Sequence, residues 1–141
     1  MPTRRASAVW NGTLKEGNGT MTVESGAFKV PYSAGSRFES AKGSNPDEVV
    51  GAAHAGCFSM ALSLALGEAG YEAKSIETSA DVTIEQDGGG FTITSIHLTT
   101  RGTVPGIDEA TFKEHAENAK KGCPVSKALA GPKITLDAAL K

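Results

Sequence analysis

Residues 45–67 read NPDEVVGAAHAGCFSMALSLALG. Asn45 can cap a helix, Pro46 suits its first position, and Asp47 and Glu48 complement its positive end. Asn45 with Glu48 three residues on has the form of a capping box. No formal charge interrupts 49–67, and Gly70 closes the run. Together these features predict a helix over 47–69, about 35 Å long at ~1.5 Å per residue. An uncharged run of this length could span a membrane. It is rich in Ala, Gly, Ser and His, however, which insert weakly, and no basic flank or aromatic belt frames it. The better reading is a helix apolar on most sides and surrounded by protein. One strand layer covers one face of such a helix, so a second layer or a partner subunit is expected to cover the rest.

Upstream, Trp10, Met21, Val23, Phe28 and Val30 sit in short alternating runs punctuated by glycines, a pattern of strands and turns. The polar stretch 33–45, SAGSRFESAKGSN, reads as a loop into the helix. Downstream, 76–85 and 91–101 alternate as two strands joined at Asp87-Gly88-Gly89-Gly90. Their alternation slips between Ile93 and Ile96, which marks a bulge. Asp108 then caps an amphipathic helix with Ala110, Phe112, His115, Ala116 and Ala119 facing inward, and Gly122 stops it. Cys123-Pro124 opens a short helix, and Ile134, Leu136 and Ala138 alternate as a last strand.

With 141 residues the chain is expected to form one domain, 1–141. Fourteen Lys and Arg against sixteen Asp and Glu give a net charge of −2, which argues against a nucleic-acid binder. Aromatic residues make up 6%, too few for base-stacking platforms. Two cysteines do not make a secreted disulfide scaffold, and no apolar h-region follows Arg4 and Arg5. The expected address is a reducing cytoplasm, with no membrane attachment.

Chemistry then centres on Cys57, mid-helix, and Cys123, at a helix start. As small apolar side chains both are suited to simple burial. Cys123 also has a reason to be reactive, because the positive end of a helix favours a thiolate. Cys57 lies too deep in its helix to gain from that field and needs a cation from elsewhere. Arg37 is the isolated arginine of the polar loop, and Asp47 or Glu48 could hold it in place. His54 and Cys57 lie three apart on one helix face and can touch. That leaves open a packed histidine, an activated thiol–imidazole pair, or two metal ligands completed by Cys123 with His97 or His115. Gly88-Gly89-Gly90 lacks the context of a phosphate loop, and GCFSM is not a serine-hydrolase elbow.

NPDEVVGAAHAGCFSMALSL (45–64), GCPVSKAL (122–129) and GSRFES (35–40) resemble the central-helix, second-cysteine and arginine-loop motifs of the OsmC/Ohr family of thiol peroxidases, in its OsmC branch. SAVWNGTLKEGNGTMTVESGAF, GEAGYEAKSIETSADVTIE and VPGIDEATF extend the resemblance across nearly the whole chain. It implies an α+β fold, an intertwined homodimer whose long central apolar helices are enclosed by antiparallel sheets. It implies reduction of organic hydroperoxides, and of hydrogen peroxide less well, with no bound cofactor. Cys57 matches the peroxidatic cysteine, Cys123 the resolving one, and Arg37 the arginine that stabilises the thiolate. Asp47 stands where the related branch has a glutamate, and Glu48 follows, so both are carried as the partner carboxylate. The implied cycle runs through a Cys57 sulfenic acid and a Cys57–Cys123 disulfide, opened by an external dithiol of lipoyl type. A redox sensor or hydrophobic-ligand binder on the same fold, without turnover, is the alternative.

Overall fold

Gly19 sits between Trp10 and Tyr32 in the first sheet, and its missing side chain sets the local packing. A Cβ there would lie 2.6 Å from the Tyr32 ring and 2.8 Å from the Trp10 ring. Without it the two rings meet across the strand, with centroids 5.3 Å apart at a tilt of 54°. The computed structural model describes residues 1–141, as two compact units, Met1–Val49 and Val50–Lys141. The first holds β1 (Ala6–Asn11), β2 (Asn18–Val23) and β3 (Lys29–Tyr32), antiparallel in the order β1-β2-β3.

The stretch expected as a loop contains a helical turn, α1 (Ala34–Phe38). Its cause is a reciprocal pair of serines. The Ser36 N–H donates to Ser33 Oγ at 3.1 Å and the Ser33 N–H to Ser36 Oγ at 2.8 Å. Such a box satisfies two orphan donors at once; here the second partner is serine rather than the usual Glu or Gln. The long helix α2 (Pro46–Glu68) begins in this unit. Asn45 caps it through the Glu48 N–H at 2.8 Å, while its amide donates to Ser36 O at 3.1 Å and ties α1 to the start of α2. The expected box closes on one side alone: the Glu48 carboxylate accepts from the Ser44 hydroxyl at 2.7 Å instead.

The second unit contains the body of α2, β4 (Ser75–Asp87), β5 (Gly90–Thr103), α3 (Glu109–Gly122), α4 (Pro124–Ala128) and β6 (Lys133–Leu140). The sheet runs β4-β5-β6. β4 and β5 pair antiparallel; Thr83 faces Ser95 and Ile84 faces Ile93, so Thr94 is the extra residue of the predicted bulge. The antiparallel expectation fails at β6, which lies parallel to β5. The helical connection through α3 and α4 carries the chain back to the same end, as parallel pairing requires.

His54, Phe58, Leu62 and Leu66 recur every four residues along α2 and are fully buried. They make one stripe of the helix. Ile96 and Leu98 of β5 and Phe112, Ala116 and Ala119 of α3 complete the core. Ser59 Oγ of α2 bonds Thr78 Oγ1 at 2.7 Å, which in turn bonds the buried Thr100 at 3.0 Å. Met60 and Leu64, on another face of α2, are 77% and 64% exposed. By length and composition α2 is apolar enough to cross a membrane, but its buried stripe packs against protein.

On α3 the Asp108 carboxylate accepts from the Thr111 N–H at 3.0 Å, the predicted cap. Ala110 is exposed, contrary to expectation. The helix ends at Gly122 as expected, with the glycine itself helical. Pro124 forces the residue before it out of helical geometry, and Cys123 is accordingly extended, at φ −63° and ψ 135°.

Gly102 of β5 lies under the Phe112 ring. A Cβ there would meet two ring atoms at 2.8 Å, and the ring, fully buried, has no room to retreat. An alanine in a strand interior otherwise gains ~0.5–1 kcal/mol over glycine, whereas overpacking costs ~1–3 kcal/mol. The clash wins: Gly102→Ala is expected to lower the thermal midpoint by several degrees. A midpoint unchanged in calorimetry would refute this packing.

Candidate active site

Pro124 makes Cys123 do two structural jobs. Its N–H closes α3 on Ala119 O at 2.9 Å, and its C=O accepts the Lys127 N–H at 3.1 Å as α4 begins. Its sulfur takes the place of a capping oxygen, accepting the Ser126 N–H at 3.3 Å. The Ser126 hydroxyl lies 3.4 Å from the same sulfur. Cys123 is fully buried, while Cys57 is partly exposed, and both thiols are free. Each thiol acts on the acidity of the other.

Their acidities diverge. Burial pushes the Cys57 thiol up, the Val125 N–H offsets part of this, and the neighbouring Cys123 adds to the rise. For Cys123 burial also acts upward, but donation from the Ser126 hydroxyl and N–H, from Cys57 and from the Val125 N–H outweighs it, so its pKa falls. The helix-start argument from sequence gives the same asymmetry, through named donors rather than a diffuse dipole.

Cys57 opens onto an apolar cleft of about 800 Å³ lined chiefly by Met60, Ala61, Leu64, Ala119 and Pro124. That volume suits a small organic ligand. Phe58 and Leu62, apolar neighbours of Cys57 in the same run, point into the core instead. Turn geometry explains this: they share the buried stripe, whereas Met60, Ala61 and Leu64 flank Cys57 on the other side.

His54 is buried, one turn before Cys57, and its Nε2 bonds Ser126 Oγ at 2.7 Å. Ser126 was within the second-cysteine motif but carried no signal of its own; a serine three residues after an N-cap is the feature that places its N–H on the capping atom. No three His, Cys, Asp or Glu side chains converge as metal ligands, and His97 bonds Thr135.

In the first unit, Arg37 binds Asp47 through two parallel bonds, Nε to Oδ2 and Nη2 to Oδ1, each 3.0 Å. Asp47 is the carboxylate that reaches Arg37; Glu48 is engaged by Ser44. The shorter aspartate suffices because α1 delivers the guanidinium to the first turn of α2. Arg37 also lies 5.4 Å from the Phe38 ring centroid. It borders a second hollow of about 290 Å³ with Trp10, Leu14, Tyr32, Phe38 and Pro46.

Residues 39–137 match the family model described as OsmC-like protein. The chain belongs to the OsmC-like family. Among OsmC-like proteins it is 51% identical to Peroxiredoxin OsmC of Escherichia coli (strain K12), over 98% of this chain and 96% of that one. Peroxiredoxin OsmC of Shigella flexneri is similar to the same extent. The fold resembles the organic hydroperoxide resistance protein OhrB of Bacillus subtilis, with a TM-score of 0.73 at 25% identity over 97% of this chain and 98% of that one. An OsmC-like protein of Mycoplasma pneumoniae superposes with a TM-score of 0.77 at 21% identity, over 99% and 97% of the two chains. The α+β expectation is thus met, and the kinship agrees with a cysteine-based peroxidase.

Proposed function

We propose that this protein reduces organic hydroperoxides to alcohols with its two cysteines, and hydrogen peroxide less well. The observation that carries the reading is a partly exposed Cys57 on an apolar cleft that Gly122 and Pro124, the two chain neighbours of the buried Cys123, also line. The Cys57 thiolate attacks the distal peroxide oxygen. The O–O bond breaks, Cys57 becomes a sulfenic acid, and the departing alkoxide takes a proton to leave as the alcohol. Cys123 then displaces hydroxide from Cys57, forming the disulfide and water. An external dithiol, of lipoyl type in our reading, opens it by exchange. Apolar walls favour alkyl over small polar peroxides. The protein itself holds no cofactor in this scheme, and a reducing cytoplasm keeps the thiols ready.

The elevated Cys57 pKa demands a cation, and Arg37 is our candidate on the strength of the arginine-loop resemblance, oriented by Asp47. Arg37→Ala is expected to move the alkylation profile of Cys57 to higher pH. A higher pKa means less thiolate at neutral pH, so peroxide consumption there falls as well. An unchanged profile removes Arg37 from the reaction.

We further infer a homodimer, which would cover the exposed Met60 and Leu64; sedimentation as a stable monomer refutes it. The cleft also suits an apolar ligand bound without turnover. Hydroperoxide consumption with a dithiol, and mass spectrometry for the internal disulfide, separate that reading from the peroxidase.

A further inference from the structure

Two buried side chains from two helices stand in line behind the reacting sulfurs. His54 Nε2 on α2 lies 2.7 Å from Ser126 Oγ on α4, and Ser126 Oγ lies 3.4 Å from Cys123 Sγ. His54 is fully buried and Ser126 5% exposed. The other ring nitrogen, His54 Nδ1, is buried with no hydrogen-bond partner. A histidine kept to anchor Ser126 alone needs one polar atom, and the second is then an unmet cost. A neutral imidazole has one N–H and one acceptor nitrogen, so a proton held on Nδ1 leaves Nε2 as the acceptor that faces Ser126.

We propose that His54, acting through Ser126, is a positioning residue for resolution and takes the Cys123 proton as that thiol attacks the Cys57 sulfenic acid. In the resting state the neutral ring carries its proton on Nδ1 and accepts the Ser126 hydroxyl at Nε2. Burial, which lowers the His54 pKa, favours this neutral form, and no charged group contributes to that shift. The titratable groups facing the ring across Ser126 are the two thiols, Cys123 and behind it Cys57. As resolution starts, the Cys123 S–H proton passes to Ser126 Oγ and the Ser126 proton to Nε2. The Cys123 sulfur, now held by the Ser126 hydroxyl and N–H, forms the S–S bond. The Cys57 S–O bond breaks opposite the incoming sulfur, the hydroxide takes a proton from solvent in the cleft and leaves as water, and His54 later gives its proton back to solvent. Cys123 is oxidised, the Cys57 sulfur is reduced, and no net proton is consumed.

This inference rests on the peroxidase reading, and one experiment separates their failures. The full chain is mixed with one equivalent of an alkyl hydroperoxide, quenched with acid and an alkylating agent, and followed by mass spectrometry. In Ser126→Ala and His54→Gln, disulfide closure is expected to slow roughly a hundredfold, the scale of general-base assistance, so that sulfenic acid accumulates. Closure in these variants should climb with pH more steeply than in the unsubstituted chain, because Cys123 must ionise unaided. Ser126→Thr, which keeps the hydroxyl, should restore the rate. Closure as fast and with the same pH profile in both variants overturns the relay and leaves the peroxidase intact. A failure of His54→Gln to fold shifts the decision to the Ser126→Ala and Ser126→Thr pair. If no sulfenic acid forms on Cys57 at all, the peroxidase reading falls. The relay is then judged by thiolate absorbance in a Cys57→Ser chain, where an unmoved Cys123 titration on removing Ser126 or His54 overturns it.

Discussion

Cys57→Ser is expected to abolish hydroperoxide consumption, cutting the initial rate with a dithiol by more than about a thousandfold. The change removes one sulfur and little else. Serine is slightly smaller than cysteine, and position 57 is partly exposed beside a cleft rather than sealed in the core. Phe58, Leu62 and Leu66 hold α2 in place through the opposite stripe. A stability change within ~0.5 kcal/mol is therefore expected, and circular dichroism with thermal melting checks it. Serine cannot substitute chemically, because its hydroxyl is not ionised near neutral pH and an oxygen nucleophile yields no sulfenic acid. Cys123 survives in the variant as the more acidic thiol, but it is fully buried. Acidity without access gives no turnover. Retained consumption would mean that Cys123 meets peroxide directly and that the two roles are exchanged.

The long helix was legible because one local signal, an Asn-Pro-acid start followed by an uncharged run, fixes both its beginning and its character. So were the β4–β5 bulge, written in the slipped alternation at Ile93–Ile96, and the Asp108 cap. α1 was not, since Ser33 and Ser36 bond each other's backbone within a polar stretch, and a serine pair has no distinctive hydrophobic period. The parallel β6 also escaped reading, because strand direction is set by the path of the connection rather than by residues 133–140. At the site, both sulfurs stood out from their motifs. The link from His54 to Ser126 did not, because it joins residues 72 apart in sequence and exists through tertiary packing alone. The walls of the cleft were not legible for a related reason: an apolar run names candidates, and only the buried stripe decides which of them remain for Cys57.

Cys123→Ser is expected to separate the two halves of the cycle. Serine at 123 keeps the cap, since its oxygen can accept the Ser126 N–H that the sulfur now takes. The α3–α4 junction is also preserved by Pro124, which holds position 123 extended whatever its side chain. The fold should therefore persist while the disulfide cannot form. One equivalent of hydroperoxide per Cys57 is consumed in a burst, leaving a sulfenic acid that a sulfenate-selective probe captures. Steady-state turnover with a dithiol then falls at least about tenfold, limited by direct reduction of a sulfenate that the cleft partly shields. Excess peroxide drives Cys57 on to the sulfinic acid, visible as a gain of two oxygens by mass. The burst itself should not slow. Cys123 raises the Cys57 pKa through both its hydrogen bond and its charge, so removing it lowers that pKa. More thiolate is then present at neutral pH, and the first oxidation is as fast or faster. Normal multiple turnover without overoxidation would show that resolution does not pass through Cys123. A slower burst would show that Cys123 activates Cys57 rather than restraining it.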